Sequence, residues 1–179
     1  VGTNAIGTCI NEDKPIQTIG AEHFCIGHHP WTCSAAPIHD SEGRLIGVLD
    51  MSGYSIGAHK HTLGIVVAAA YSIENQLSLW KSYALIDATF ESIWDGIMLV
   101  DKEYSITRMN KAGERILGFA RGESYGQDIR MILGDKIFLS PDYYQRRIDW
   151  NFHINGKRIP CNIRVAPIAV HNSNNGLVI

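Results

Sequence analysis

Between His59 and Trp94 the chain contains no proline and a single glycine, Gly64, while apolar residues return at steps of three and four: Leu63, Val66, Ala70, Ile73, Leu77 and Trp80. At 3.6 residues per turn this spacing lines them up on one face, so the stretch predicts a long helix with a seam suited to packing on another helix. Downstream the seam restarts as Tyr83, Ile86, Phe90 and Ile93 in a shifted register, so two consecutive helical parts are expected to join near Trp80 to Tyr83. The chain is therefore read as three segments: residues 1–58, a connecting helix over 59–94, and residues 95–179.

Both flanking segments need a core, and with 45% hydrophobic against 19% charged residues over 179 positions the chain can supply one. A formal net charge of −2 argues against a surface built to neutralise many phosphates. The longest apolar run, Leu63 to Ala70, falls short of the roughly 18 residues of a membrane span, so no membrane association is expected. The opening Val1-Gly2-Thr3-Asn4 has neither the basic nor the apolar region of a signal peptide, and it reads as a piece of a longer polypeptide. Cys9, Cys25, Cys33 and Cys161 lack the density of a disulfide scaffold, which suggests reduced thiols and a cytoplasmic setting.

In the first segment, Trp31 to Ile38 and Leu45 to Met51 are apolar runs separated by His39-Asp40-Ser41-Glu42-Gly43-Arg44. Asp, Ser and Gly between such runs favour a tight reversal and an antiparallel strand pair. Ala21 to Cys25 reads equally as a short helix or a loop. In the last segment, Gly96 to Asp101 is apolar on both faces, as a doubly covered strand is. Asp101-Lys102-Glu103 turns into a second strand, Tyr104 to Asn110; Asn110 is placed to cap a helix, Ala112 to Leu117, which Gly118 ends. Arg121 to Ser140 reads as short helical turns. Arg147 to Ile154 alternates as a strand, Asn155-Gly156 is a hairpin signal, Lys157 to Val170 returns, and Leu177 to Ile179 forms a last strand. The expected fold class is α+β: an antiparallel sheet, a long helix, and a domain with a five-stranded antiparallel sheet and short flanking helices.

Particular residues carry a family resemblance. Gly2-Thr3-Asn4-Ala5-Ile6-Gly7-Thr8, Gly20 to Phe24, His29, Trp31 to Ile38 and Gly47 to Gly53 resemble the C-terminal part of a GAF sensor domain, in particular that of sigma-54-dependent activators of the acetoin-catabolism type. Asp95 to Asp101, Asn110-Lys111-Ala112 and the Asn155-Gly156 hairpin resemble a PAS domain. The resemblance implies a sensory region whose ligand or partner state passes to ATPase and DNA-binding domains further along. It also implies that the early GAF strands and first helix lie before Val1. No GxxxxGK[ST] phosphate loop occurs in these residues.

Glu22, His23, Cys25, His28, His29 and Cys33 form the densest cluster of potential metal ligands. Their spacing matches no closed zinc pattern, so a structural role, contact with a small molecule or haem, and metal binding all remain readings, with no metal the expectation. Within the GAF resemblance, His23, His29, Trp31 and Cys33 are the candidate ligand residues. A Cys beside His also fits a thiol nucleophile, but no orienting third group is specified, and no catalytic residue is assigned. In the last segment Met98, Val100, Met109, Ile132, Phe138, Ile148, Trp150, Phe152, Ile163 and Val165 are the candidates for an apolar ligand cavity, against the alternative of an ordinary packed core. No cofactor is expected, although His153 on the polar strand face is a position to test for haem. For the helix, Leu63, Val66, Ala70, Ile73, Leu77 and Trp80 either cover the chain's own sheet or meet a symmetry mate, the second giving a signalling homodimer.

The expected function is that of a cytoplasmic, non-enzymatic sensor segment of a bacterial sigma-54-dependent transcriptional activator. It would bind a small effector or a regulatory protein and reach DNA and sigma-54 RNA polymerase only through other domains. The sensory segment of a histidine kinase or of a cyclic-dinucleotide enzyme is the rival reading.

Overall fold

The computed structural model describes residues 2–59, 61–134, 147–154, 157–170 and 173–179, without the side chains of 152–154, 157, 169, 170 and 173–175. The chain forms two compact units, Val1–Leu85 and Ile86–Ile179.

The first unit starts with a capped helix. Asn4 is extended, at φ −155°, and its Oδ1 accepts from the Gly7 N–H at 2.7 Å, which starts α1 (Ala5–Glu12); Asp13, left-handed at φ 51°, ends it. Strands β1 (Ile16–Ile19), β2 (Trp31–His39) and β3 (Leu45–Tyr54) form an antiparallel sheet in that order, with Thr18 opposite Cys33 and Cys33 opposite Ser52. Successive residues of a strand point to opposite faces, and β2 uses this with two alanines. Ala35 packs with Ala5 and Cys9 of α1, whereas Ala36 packs with Val66 and Ala70 of α2 (Thr62–Ser92). The small side chains allow a helix to approach on each face, and burying Val66 alone is worth about 1.5–3 kcal/mol.

The predicted hairpin between β2 and β3 is present. Asp40 Oδ1 accepts from the backbone N–H groups of Glu42 and Arg44 at 2.8 and 3.0 Å, and Gly43 takes φ 77°. The Arg44 N–H and guanidinium hold the Asp40 carboxyl down to about 2. The open reading at Ala21 to Cys25 resolves into 3-10 turns at Gly20–Glu22 and Ile26–His28. Helix α1 and strand β1 precede the strand pair, in a stretch for which the sequence offered only Gly and turn residues.

Helix α2 runs unbroken through Trp80 and Tyr83, where the apolar seam shifts, and the division between the two units falls within it, between Leu85 and Ile86. A change of seam alters which face is apolar; it interrupts no backbone hydrogen bond when neither proline nor glycine lies there. The seam itself divides. Val66 and Ala70 are buried against the chain's own sheet and Leu63 and Ile73 are half-buried, while Leu77 and Trp80 are 38% and 76% exposed.

In the second unit, β4 (Met98–Val100) and β5 (Ile106–Met109) pair antiparallel and lead into α3 (Lys111–Leu117) and α4 (Arg130–Leu133). Asn110 caps α3 as expected, its Oδ1 accepting from Gly113 N–H at 2.9 Å, and Gly118 ends the helix at φ 74°. Strands β6 (Arg147–Ile154) and β7 (Lys157–Arg164) pair from Arg147 opposite Arg164 to Ile154 opposite Lys157; Asn155 and Gly156 lie outside the described residues. The reading of Lys157 to Val170 as one strand is corrected: β7 pairs with β6, and a separate β8 (Ala166–Val170) pairs with β9 (Ser173–Val178). Val165, fully buried in the core, marks the changeover. Among the described residues the unit therefore holds a four-stranded sheet, β5-β4-β9-β8, and a two-stranded one, β6-β7, where a single five-stranded sheet was expected. No helix among the described residues is long and apolar enough to cross a membrane.

Candidate functional site

The first unit encloses a cavity of about 460 Å³ on the α1 side of its sheet. Three pieces of chain form its wall: the N-terminal end of α1 with Asn4 to Ile6, the β1–β2 connection with His23, Cys25 and His28, and the strand positions Cys33, Asp50 and Ser52. Strand geometry explains the last group. Asp50 and Ser52 are two apart and share a face, and Ser52 lies opposite Cys33 in the ladder. The Ser52 hydroxyl is 2.7 Å from Asp50 Oδ2 and 3.1 Å from Cys33 Sγ. The Phe24 N–H donates to the Thr3 carbonyl at 3.0 Å, tying the connection to the segment before α1. Gly2, at φ 80°, lies so close to Phe24 that a Cβ there would be 2.2 Å from the ring.

His23 is 3% exposed. Its Nδ1 donates to the Gly20 carbonyl at 3.0 Å, while Nε2 is buried with no hydrogen-bond partner; Asp50 Oδ1 is in the same condition. Of the sequence-derived candidates, His23 and Cys33 line this cavity. His29 instead donates through Nε2 to the His23 carbonyl at 3.2 Å, and Trp31 stacks on Tyr54 at 4.8 Å between centroids. Glu22 accepts from the Ile19 N–H at 2.7 Å, a local turn bond. Among the described residues no group of three metal-ligating side chains comes together. Cys9 is on the buried face of α1, and burial, aided by Asp13 and Asp50, pushes its thiol up and away from thiolate chemistry. Sequence reasoning missed Asp50 and Ser52 as site residues; they lie two apart within β3, and the ladder register is what sets them beside Cys33.

The second unit holds a cavity of about 590 Å³. Met98, Ile116, Leu117, Ile163 and Ile179 supply its apolar wall, and Asp95, Arg147 and Arg164 its charged rim. Of the expected set, Met98 and Ile163 face it; Val100, Met109 and Val165 are buried in the core, with Ile132 and Trp150 packed against that core and Ile148 half-buried. Phe138 and the side chains of Phe152 and His153 lie outside the described residues. Cys161 lines the cavity, its thiol pushed up by burial.

Residues 1–77 match the GAF domain family and residues 95–179 the PAS domain family. A signal-transduction and transcriptional-control protein of Clostridium beijerinckii is 35% identical over 182 residues, covering 97% of this chain and 29% of that protein. The acetoin dehydrogenase operon transcriptional activator AcoR of Bacillus subtilis is 51% identical over 78 residues, 44% of this chain and 13% of the activator. The crystal structure of the Escherichia coli DhaR(N)-DhaL complex matches in fold with a TM-score of 0.54 at 20% identity, over 94% of this chain and 60% of that one. The chain thus spans less than a third of the length of these two regulators. It consists of a GAF domain matched over residues 1–77 followed by a PAS domain matched over residues 95–179, a sensory region resembling those of operon regulators.

Proposed function

We propose that this chain is the cytoplasmic, non-catalytic sensory region of a bacterial sigma-54-dependent transcriptional activator. One observation carries the reading: a transcriptional-control protein aligns with 97% of the chain, so both domains and the helix that joins them are shared with a regulator. The effector is a small molecule held in one of the two cavities or a regulatory protein, for which the DhaR–DhaL complex is the support. The segments 1–58 and 95–179 are the sensors and 59–94 the relay. Leu77 and Trp80, exposed where Val66 and Ala70 are occupied by the chain's own sheet, supply the apolar surface of a homodimer. An effector that prefers one packing of the sheets on α2 shifts its population, and the helix passes that bias onward.

In the gene that encodes this chain, deletion of residues 1–179 tests the reading through a reporter at the promoter it controls. Transcription that becomes independent of the inducing condition, yet still requires sigma-54, is the expected result. Regulation that survives the deletion, or a promoter indifferent to loss of sigma-54, would overturn it.

A further inference from the structure

We propose that His39 couples the two helices of the GAF unit through one proton, tying α1 to α2 while its ring is an imidazolium and releasing the end of α1 when the ring is neutral; the regulatory consequence rests on the reading of α2 as the relay. A count of donors carries the argument. His39 Nδ1 lies 2.9 Å from Glu74 Oε1 on α2, and Nε2 lies 2.8 Å from Asp13 Oδ1, at the residue that closes α1. An ionised carboxylate only accepts and a neutral imidazole has a single N–H, so the two contacts exist together only with both ring nitrogens protonated.

The surroundings decide which contact opens. Glu74 Oε1 also accepts from the His39 backbone N–H at 2.7 Å and its side chain is 26% exposed, so it stays whatever the charge of the ring. The Asp13 side chain is 55% exposed, and among the described residues its carboxylate has no hydrogen-bond partner besides His39. A neutral ring that keeps its Nδ1–H on Glu74 turns a lone pair toward Asp13, whose carboxylate then moves to water and loosens the last turn of α1. The first turn of the same helix borders the GAF cavity, so the proton determines whether a wall of that cavity is tied to the relay. The other charged groups nearby have partners or are exposed: in the β2–β3 hairpin Asp40 pairs with Arg44, and Glu42 with Arg44 and with Lys81 of α2, while Glu12 and Lys14 beside Asp13 are exposed. Strand β1 has no titratable side chain, and Asp50 and Tyr54 of β3 lie opposite Ala35 and Trp31, toward the other end of β2. The two carboxylates raise the His39 pKa above 6.5, so the link holds at low pH and is lost as the pH climbs through the raised value.

A pH titration of the 179-residue chain by NMR tests this, reading the two ring nitrogens of His39 and the hydrogen-exchange protection of backbone amides, corrected for the intrinsic pH dependence of exchange. Both nitrogens should be protonated below the midpoint and Nδ1 alone above it. Protection of the last-turn amides of α1, Cys9 to Glu12, should fall roughly tenfold through the same midpoint, since a hydrogen bond to a charged group is worth about that factor, while the α2 amides around Glu74 hold. Asp13→Asn is the control variant, because asparagine accepts the left-handed conformation of that position. It should lower the His39 midpoint and abolish the step in α1. Protection of α1 that ignores the state of the ring, a release of the α2 amides instead, or an unchanged step in Asp13→Asn would each overturn the proposal. The deletion experiment does not depend on this titration, so the regulator reading stands or falls separately.

Discussion

Glu74 on α2 holds the end of β2 through one oxygen: its Oε1 accepts from the His39 backbone N–H at 2.7 Å and lies 2.9 Å from His39 Nδ1. The other ring nitrogen, Nε2, lies 2.8 Å from Asp13 Oδ1, at the left-handed residue that ends α1. A single half-buried imidazole thus joins the two helices of the first unit across the edge of the sheet that separates them.

The two carboxylates, Asp13 first and Glu74 second, raise the His39 pKa above 6.5, and burial only partly opposes them. A raised folded pKa gives stability that is complete below about pH 6.5 and is lost as the pH climbs through the folded value. Urea midpoints followed by circular dichroism should therefore fall from pH 6 to pH 8 in the native chain. In His39→Gln that slope should flatten; an equally steep fall in the variant would assign the pH dependence elsewhere.

How far the sequence discloses this fold depends on whether a residue's signal is local. The Asp40 to Arg44 hairpin and the Asn110 cap are written in side chains that bond their own neighbourhood, and both are where the sequence places them. The role of Val66 and Ala70 is not local: the same seam serves a sheet or a second helix, and only the position of Ala36 decides. Likewise Val165 looks like any strand residue until β9 offers the second half of the strand a different partner. The cavity residues His23 and Cys33 are legible as chemistry, but the presence of Asp50 beside them follows from strand register, which the periodicity of one strand cannot supply.

Leu77, 38% exposed, lies on the part of the seam beyond the sheet. If the dimer forms there, Leu77→Glu places two carboxylates at a closely packed contact and should raise the dimer dissociation constant by at least tenfold, through lost burial and like-charge repulsion. Sedimentation velocity over a concentration series reads it. Val66→Glu is the contrasting variant, because it introduces a charge into the unit's own core and should unfold the first unit instead of simply dissociating the dimer.

Gly176 lies in β9 at φ 138°, and a Cβ on it would stand 1.9 Å from the Val100 carbonyl oxygen of β4. No side-chain rotation relieves that overlap, since the atom met is backbone. Gly176→Ala should separate β4 from β9 and cost about 2–4 kcal/mol, at the high end for a point change. Thermal melts should show the loss in the PAS unit, whereas Gly43→Ala, with nothing within 4 Å of its Cβ but φ 77°, should cost only about 1 kcal/mol.

Asn110 is fully buried and uses its whole amide. Oδ1 accepts from the N–H groups of Ile97 and Gly113, both at 2.9 Å, while Nδ2 donates toward the carbonyls of Asp95 at 2.9 Å and Phe90 at 3.2 Å. One side chain therefore ties the last turn of α2, the entry to β4 and the start of α3. Arg108 adds to the same junction, pairing with Asp87 and lying 4.3 Å from the Phe90 ring centroid. Asn110→Ala removes a helix cap and orphans buried donors and acceptors together, which should cost about 2–4 kcal/mol. Asn110→Asp separates the two roles: a carboxylate keeps the cap on Gly113 but replaces the donating Nδ2 with an acceptor facing carbonyl oxygens. It should be as destabilising as the alanine variant, and hydrogen exchange should show the amides of Ile97 and Gly113 less open in the aspartate variant than in the alanine one. If Asn110→Asp instead retains native stability, the Nδ2 bonds to the Phe90 and Asp95 carbonyls contribute little, and an acceptor that caps Gly113 and holds Ile97 is all the position requires.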